Sequence, residues 1–430
     1  MTFGLRTAAA LTIALTAVSG CRLRQPPSAA AVSPSGPCSA ALAAGRERTD
    51  LDRTIARAQA DARARAHEKQ ALERLGHLFV ARARVGNDPG DYTLAEATAD
   101  CLDSKYPDEL ATLLLRGHVL HQLHRFREAE QIARVLVAKR NFVLDYGLLG
   151  DALMEQGRLT EAASAYQTMV DLKPFYQSYT RAAHLRWLKG DIAGAAEAMR
   201  SAVQSASPRE PESSAWALTR LANYELQAGR LVEAAEAVES ALRHQPDYAA
   251  ALLVQGKLML ARARPLEAIG VLRRAADSNP LPEYQWWLAD ALRSHGRADE
   301  AQVVEQQLAD RGAALDPRTL SLYLATRRAD PSKAIELAEE ELRVRADVFT
   351  LDAHAWALSA AGRFDEARSV IARALAEGTR DARLFLHAGV IDGAAGRKRE
   401  AAVWLERARM MRATLLPSES AELTRQLANH

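Results

Sequence analysis

A chain of 430 residues is long enough for two or three ordinary domains, or for one elongated array in which every added repeat extends the core. Aromatic residues make up only 6% of the chain, and Ala, Leu, Arg and Glu dominate, so we expect helices and no β-strands. Because 56 Lys and Arg nearly balance 54 Asp and Glu, the net charge of +2 provides no long-range attraction to nucleic acid.

Residues 1–20 have the layout of a secretory signal peptide. One positive charge, Arg6, precedes an uncharged apolar stretch from Thr7 to Val18, and the first acidic residue is Glu47. A stretch of about a dozen residues is too short to cross a bilayer core of ~30 Å comfortably. We therefore expect this segment to be removed.

The end of the signal segment resembles a lipobox, the site at which bacterial lipoproteins are cleaved before a cysteine that is then acylated. The residues that carry the resemblance are Val18, Ser19, Gly20 and Cys21. It implies that Cys21 is lipidated and that its acyl chains hold the protein on a membrane surface. Arg22 follows, not the aspartate associated with inner-membrane retention in many Gram-negative bacteria, which favours the outer membrane.

Two alternatives for the N-terminal segment stay open. One is an ordinary cleaved signal peptide, in which Cys21 has no special role. The other is an organelle transit peptide, because the segment contains arginine and lacks acids, although its uninterrupted apolar core argues against an amphipathic presequence.

Residues 21–48 are predicted to form the lipid anchor and a flexible tether, since the chain from Arg22 to about Gly45 is rich in Pro, Ser and Ala without helical periodicity. We expect Cys38 and Cys101 to stand alone, with Cys101 on the inner face of a helix as a small hydrophobe. A bridge between them would require a compartment outside the cytoplasm.

Residues 49–108 are predicted to hold a helical lead-in and a divergent repeat. The lead-in, Asp50 to Gln70, has few large apolar residues and is expected to be solvated. A first helix around Leu72 to Phe79 and a second near Leu94 to Ser104 are expected to form the divergent repeat, with extra residues between them.

From residue 109 to residue 416 the sequence repeats with a period of 33 or 34 residues. Nine turn segments end in an alanine, and subtraction of their numbers gives intervals of 33, 33, 39, 34, 33, 33, 33 and 34; the alanines are Ala129, Ala162, Ala195, Ala234, Ala268, Ala301, Ala334, Ala367 and Ala401. A longer loop at Ser207 to Pro211 explains the single long interval. Twelve residues before each alanine stands a second small residue, except at Leu322, which predicts closely packed helix pairs.

One repeat shows the pattern most fully, with Tyr146, Leu149, Gly150, Leu153, Gly157, Ala162, Tyr166 and Pro174 in successive motif positions. This pattern resembles the tetratricopeptide repeat. The resemblance implies an all-α, right-handed superhelical solenoid of antiparallel helix pairs with about nine repeats. Residues 417–430 are predicted to form a capping helix on the last repeat. Together with the lipobox, the chain resembles a bacterial tetratricopeptide repeat lipoprotein.

In a solenoid of this kind the first helix of each pair lines a concave face, where we expect binding. The predicted groove residues are His118, His121, Asp151, Glu155, His184, Trp187, Asn223, Gln227, Lys257, Trp286, Asp290, Arg293, Tyr323, Arg327, Asp352 and Trp356. Aromatic and arginine side chains often dominate binding energy, so Trp187, Trp286, Arg293, Tyr323 and Trp356 are the first candidates. The alternative is that these aromatics fill gaps between repeats, as we expect for Trp287 and Trp404.

Catalytic and metal-binding patterns are missing from the sequence. His118, His121 and His124 stand three residues apart, but no Asp, Glu or Cys is placed beside them as a fourth ligand. The sequence also lacks a serine nucleophile elbow, a phosphate-cradling Gly-rich loop and a dinucleotide fingerprint. We therefore expect no enzyme, no metal, no cofactor and no small-molecule substrate.

The sequence favours a membrane-tethered scaffold of the periplasm or cell envelope that binds a protein or extended peptide. Asn223 and Lys257 are only a fragment of the clamp by which some tetratricopeptide repeats bind chaperone tails, so that partner is not predicted. A second hypothesis is an accessory subunit that recognises an exported polysaccharide, with Trp187, Trp286 and Trp356 as stacking platforms. A third, an enzyme with a metal at His118 and His121, ranks last.

Overall fold

The computed structural model describes residues 36–45, 49–65, 68–86, 89–208 and 210–429, and within these ranges the regular secondary structure is entirely helical. The all-α solenoid prediction is confirmed. The helices are α1 (Pro37–Leu42), α2 (Asp50–Ala64), α3 (Lys69–Gly86), α4 (Pro89–Lys105), α5 (Leu110–Gln122), α6 (Phe126–Arg140), α7 (Val143–Glu155), α8 (Leu159–Leu172), α9 (Tyr176–Leu188), α10 (Ile192–Ser205), α11 (Pro211–Gln227), α12 (Leu231–His244), α13 (Ala249–Ala261), α14 (Pro265–Ser278), α15 (Pro282–Ser294), α16 (Ala298–Leu315), α17 (Pro317–Arg327), α18 (Pro331–Val344), α19 (Val348–Ala360), α20 (Phe364–Leu375), α21 (Ala382–Ala394), α22 (Lys398–Met410) and α23 (Pro417–Ala428), with a 3₁₀ turn at Arg412–Thr414. No described helix is both long and apolar enough to span a bilayer.

From α3 to α22 the helices pair as antiparallel hairpins, and the hairpins from α5/α6 onward coincide with the predicted repeats. All nine alanines of the register are fully buried where the two helices of a hairpin meet. Eight of the nine partner positions hold Gly or Ala, and a Cβ added at Gly150 would lie 2.2 Å from Cε1 of Tyr166. The period therefore exists because a large side chain of a neighbouring helix occupies the space beside most of these small residues.

The superhelix closes on itself, which the repeat pattern did not predict. The turn after α7 contacts the loop after α18, where the Ala346 amide donates to the Glu155 carbonyl at 3.2 Å. The turn after α9 meets the loop after α20, where the Thr379 hydroxyl donates to the Leu188 carbonyl at 2.5 Å. An ion pair of 2.5 Å between Lys189 and Glu377 joins the same two loops.

This closure depends on glycine at two turns. Gly157 and Gly190 have φ of +75° and +79°, a conformation that glycine adopts without strain. A Cβ at Gly157 would stand 2.5 Å from the carbonyl oxygen of Ala346, and one at Gly190 would stand 2.3 Å from that of Gly378. No side chain fits at either contact.

The N-terminal region is more ordered than predicted. A disulfide joins Cys38 of α1 to Cys101 of α4, so the expectation that both cysteines stand alone was wrong. Helix α1 lies inside the segment predicted to be a flexible tether, and the Gln59 side chain donates to the Ala41 carbonyl at 3.0 Å. That prediction is therefore wrong for α1, because a covalent bond and buried hydrogen bonds hold it on the solenoid.

Helix α2 also differs from its prediction. Ile55, Ala58 and Ala62 are buried in a cluster shared with α3 and α4, so α2 is a packed element and not a solvated lead-in. Its few apolar residues lie at spacings of three and four, which place them on one face.

The C-terminal segment, defined here as residues 411–429, does more than cap the last repeat. Helix α23 packs on α21 and α22 and reaches α15, and the 3₁₀ turn lies against α11 and α13. Leu416 is fully buried in the core around Trp286 and Trp287, and Leu423 is fully buried beside α22. Part of the concave face is thus filled by the chain itself.

Candidate functional site

A cavity of about 720 Å³ lies on the concave side of the superhelix. The first helices α7, α9, α11, α13 and α15 form one wall, and the opposite wall comes from the starts of α17, α19 and α21 with the loops before them. Thr414 of the C-terminal segment contributes to the lining. The concave face is therefore a bounded cavity and not an open groove.

The structure divides the predicted groove residues into two sets. Eight of them line the cavity: Glu155, His184, Trp187, Asn223, Gln227, Lys257, Trp286 and Asp352. The other eight do not contribute to its lining: His118, His121, Asp151, Asp290, Arg293, Tyr323, Arg327 and Trp356. The division follows from the closure and from the C-terminal segment, which cover part of the concave face.

An aromatic and cationic cluster forms the α9 and α11 end of the cavity. Trp187 stacks on Phe349 of the opposite wall, with ring centroids 5.2 Å apart, and its indole donates to Gln227 Oε1 at 2.5 Å. The guanidinium of Arg220 lies over the rings of Trp187 and Tyr224, at 5.2 and 5.4 Å from their centroids. Stacking and cation–π contacts of this kind orient the side chains.

His184 belongs to the same cluster as a neutral acceptor. Burial, together with the charge of Arg220, lowers the pKa of His184 to about 3. Its Nδ1 lies 3.1 Å from Nη2 of Arg220. A neutral ring can accept a hydrogen bond from the guanidinium at this atom, whereas a protonated ring could not.

Charged side chains from both walls form a row of ion pairs at the α7 end of the cavity. Glu155 lies 3.0 Å from Nε of Arg345, which is 3.7 Å from Asp347. Asp347 in turn pairs with Arg318 at 3.2 Å. Burial raises the pKa of Glu155 despite the nearby Arg345. This row of ion pairs joins α7 to the loop before α19 and supports the closure.

Lys257 marks the middle of the cavity. Its ammonium group is 3.5 Å from Glu283 and lies over the Trp287 ring, 4.6 Å from the centroid. Burial lowers the pKa of Lys257. Trp287 was predicted to be core, and it is 2% exposed, although one edge borders the cavity.

The C-terminal segment covers the predicted site residues of α15. The Ser418 amide donates to Oδ2 of Asp290 at 2.8 Å, and burial raises the pKa of Asp290. Arg383, held by a 2.5 Å bond from its Nε to Glu419, lies over the Trp286 ring at 5.0 Å. Trp286 is only 2% exposed, so it acts mainly in packing.

The remaining predicted residues of the later repeats contact one another or their neighbours. Arg293 pairs with Glu305, to which Arg327 also comes within 3.8 Å, and the ring of Tyr323 stands edge-on to Trp286 at 5.9 Å. The Arg293 pair lies within one hairpin, and the contacts of Arg327 and Tyr323 lie between consecutive repeats, as the gap-filling alternative expects.

Trp356 and Asp352 contact the neighbouring repeats, Trp356 on both sides and Asp352 on the following side. The Trp356 indole donates to the hydroxyl of Thr326 at 2.9 Å, and its ring stacks on His387 with centroids 4.0 Å apart. His387 Nδ1 also lies 2.9 Å from Asp352. Trp404, predicted to be core, is half-buried and stacks on Phe385 at 5.7 Å.

Asp151 and the histidines of α5 form a separate polar layer between repeats. Burial alone would raise the pKa of Asp151, but Arg181, which donates to it at 2.8 and 2.6 Å, lowers it. Burial lowers the pKa of His118 to about 3 and also lowers that of His121. Among the described residues no group of three or more His, Cys, Asp or Glu is arranged to hold a metal ion.

Among the cavity residues missed from the sequence are Arg220, Arg345 and Phe349. Arg220 precedes Asn223 and Gln227 by three and seven positions on α11, so helical spacing could have placed it on the same face. Phe349 is the second residue of the first helix α19, a position that also faces the groove, so the register could have found it. Arg345 lies in the loop between repeats, and its part in the cavity follows from the closure alone.

Comparisons with known proteins support the fold. The family model of the tetratricopeptide repeat matches residues 114–177, 147–211, 180–249, 219–281 and 253–314. No curated protein matches the sequence.

Among solved structures, the chain is similar to a human IFIT1 dimer with PPP-AAAA, at 12% identity and a TM-score of 0.47 over 84% of this chain and 90% of that one. It is similar to a chain of the APC/C hetero-tetramer Cut9–Hcn1, at 13% identity and a TM-score of 0.36 over 88% and 90%. For MamA the identity is 19% and the TM-score 0.32, over 38% of this chain and 94% of that one.

Proposed function

Because residues 114–314 match the tetratricopeptide repeat model and the fold is a solenoid of helix pairs, we propose that the protein is a membrane-tethered tetratricopeptide repeat scaffold of the cell envelope that binds a protein through an extended segment. The observation that carries the proposal is the convergence of side chains from five successive first helices on one cavity. Asn223, Gln227 and Lys257 supply hydrogen-bond donors there, and a peptide backbone supplies carbonyl acceptors.

The cavity has room for a short segment of a partner. The cavity offers about 720 Å³. A few residues of extended chain fit this volume, and the partner would contact the rim with the rest of its surface.

Site-specific photo-crosslinking in cells tests the proposal. A photoreactive residue at Asn223 should yield a defined adduct with the partner, and the same residue at Val232, which is 64% exposed on α12, is the matched control. Replacing Gln227 and Lys257 by alanine together should reduce the adduct at Asn223. Equal adducts at both positions, or none at Asn223, would contradict a cavity-bound partner.

Membrane attachment at Cys21 is part of the proposal, and Cys21 lies outside the described residues. The lipobox resemblance supports it. The Cys38–Cys101 disulfide also supports a location outside the reducing cytoplasm, where such bonds persist. Labelled fatty acid should enter the wild-type protein but not Cys21→Ser, and Cys21→Ser should leave the membrane fraction. A Cys21→Ser protein that stays in the membrane fraction would exclude the lipid anchor.

The polysaccharide hypothesis receives no support from the three tryptophans on which it depended. Trp187 is stacked on Phe349, Trp356 is stacked on His387, and Trp286 is 2% exposed. A sugar ring needs a free aromatic face, and here protein side chains occupy those faces.

A further inference from the structure

We propose that the α9 and α11 end of the cavity is a binding site for a small organic anion, whose carboxylate or phosphate group is held by Arg220. This inference goes beyond the scaffold function and does not depend on it. Its basis is a difference between Arg220 and the carboxylates that share the cavity with it.

The carboxylates that line the cavity are all engaged. Glu155 and Asp347 share Arg345, at 3.0 and 3.7 Å. Glu283 pairs with Lys257 at 3.5 Å. None of these carboxylates needs a cation from a ligand.

The same holds for the carboxylates at helix starts. Asp316 accepts from the Thr319 amide at 3.0 Å, and Asp381 accepts from the Arg383 amide at 2.9 Å. Each caps the first turn of its helix, α17 or α21. Glu377 pairs with Lys189, and Asp352 bonds to His387, as described above. Each carboxylate of the lining therefore has a hydrogen-bond or ion-pair partner within the protein.

Arg220 has no carboxylate partner among the described residues. In the described part of the chain its polar contacts are two neutral groups, Nδ1 of His184 at 3.1 Å and the hydroxyl of Tyr224 at 3.4 Å, both to Nη2. The Nε atom is buried and has no hydrogen-bond partner. A guanidinium stays protonated in proteins, so its charge cannot be removed by titration.

A partly buried cation without a counter-ion is unfavourable, and an anion bonded to Nη1 would satisfy it. Gln227 stands on the same face of α11, seven residues further along. Its Oε1 already accepts from the Trp187 indole, so its amide group is left to donate. Arg220 and Gln227 together present N–H donors to the same end of the cavity.

The rest of the ligand would lie against apolar side chains. Phe349, which is partly exposed, lines the cavity together with the mostly buried Leu226, Leu322 and Val348, and none of these side chains offers a hydrogen bond to an inorganic ion. The volume of about 720 Å³ falls within the usual range of small-molecule sites, about 300–1,000 Å³. An apolar body with one anionic group matches both parts of the lining.

Ligand-observed NMR and calorimetry on the purified full-length protein test the site with defined probes. Phenylacetate and phenyl phosphate supply the two kinds of anion, phenylacetamide is the neutral analogue, and inorganic phosphate lacks the apolar body. We expect at least one of the two organic anions to bind, and to bind at least about tenfold more tightly than phenylacetamide, because charge-assisted hydrogen bonds are the strong ones. Which of them binds distinguishes a carboxylate ligand from a phosphate ligand.

Variants assign the binding to Arg220. Arg220→Gln should lower the affinity of the bound anion about tenfold or more, and Arg220→Lys, which keeps the charge, should lower it less. Arg262→Gln is the matched control, because Arg262 is exposed outside the cavity and donates to the Leu231 carbonyl at 2.9 Å. It should bind like the wild type.

Three results would overturn the proposal. The first is that the wild type binds phenylacetamide as tightly as both organic anions, and the second is that the folded wild type binds neither organic anion. The third is that folded Arg220→Gln binds the anion with unchanged affinity. If Arg220→Gln does not fold, Arg220→Lys decides. A folded Arg220→Lys protein that still binds the anion more tightly than phenylacetamide supports the need for a positive charge. Equal binding of the anion and phenylacetamide to Arg220→Lys opposes it. Loss of the partner crosslink at Asn223 would leave these outcomes unaffected.

Discussion

The closure of the superhelix can be tested by adding a single methyl group. Gly190→Ala places a Cβ where the backbone oxygen of Gly378 lies 2.3 Å away, so the two loops must separate. Gly229→Ala is the matched control, because Gly229 has nearly the same φ, +76° against +79°, and nothing lies within 4 Å of its added Cβ. Both variants carry the strain of a left-handed alanine, roughly 1–2 kcal/mol.

Only the Gly190 variant carries a further cost. Overpacking costs about 1–3 kcal/mol, and loss of the Thr379 hydrogen bond to the Leu188 carbonyl adds about 1 kcal/mol. We therefore expect Gly190→Ala to destabilise the closure by about 2–4 kcal/mol more than Gly229→Ala.

Hydrogen exchange measured by mass spectrometry can detect this difference. Amides in residues 376–381 and 188–191 should exchange faster in Gly190→Ala than in the wild type, and should be unchanged in Gly229→Ala. Hydrogen exchange is preferred here because it reports on the two loops themselves, whereas a global unfolding curve sums over the whole molecule. Equal exchange of these amides in the two variants would refute the closure.

Three further predictions concern stability. Replacing Cys38 and Cys101 by serine should lower the stability of the N-terminal region by up to about 4 kcal/mol, the entropic contribution of a loop closed over a separation of 63 residues. A reductant should lower the thermal midpoint of the wild type but not that of the double serine variant. An equal response of the two proteins would contradict the disulfide. Glu419→Gln should destabilise the packing of the C-terminal segment by about 3 kcal/mol, because it leaves the Arg383 charge unpaired. In limited proteolysis the segment should be cleaved faster in Glu419→Gln than in the wild type or in Glu422→Gln. Equal cleavage rates in the three proteins would be evidence against a role of Glu419 in holding the segment. Since the pKa of His184 falls to about 3 in the folded protein, the unfolded chain binds more protons below about pH 6.5, and His184 lowers stability progressively as the pH falls from about 6.5 towards 3; the loss is about 2 kcal/mol at pH 5, and the urea midpoint of His184→Gln should depend less on pH than that of the wild type.

The helix pairs and their register could be predicted because each depends on neighbours in sequence. Ala162 and Gly150 lie in one hairpin, and small residues at both positions recur in every repeat except the one with Leu322. The spacing of such positions is a local property of the chain. It therefore identified the nine hairpins and the first helix of each.

The cavity could be predicted only in part, because closure joins residues far apart in sequence. Glu155 and Trp187 were assigned to the concave face from their positions in the register, and both line the cavity. Their contacts Arg345 and Phe349 come from the opposite wall, about 160–190 residues later, where no periodic signal relates them.

Aromatic character alone was a poor guide to exposure. Trp286 was placed correctly on a first helix, yet the C-terminal segment and Arg383 cover it. The disulfide escaped prediction for a similar reason, since its pairing depends on how α1 folds back on α4. Composition could not show that fold-back, because the segment around Cys38 looks like a linker.

Closure also fixes the number of repeats. In an ordinary solenoid each repeat touches only its neighbours, so units can be gained or lost with a roughly constant change in stability. Here the turn after α9 must reach the loop after α20, and the hairpins between them set that distance. Deletion of one internal hairpin, such as α13/α14, would shift the two loops out of contact, so the molecule should tolerate changes in repeat number far less readily than an open array.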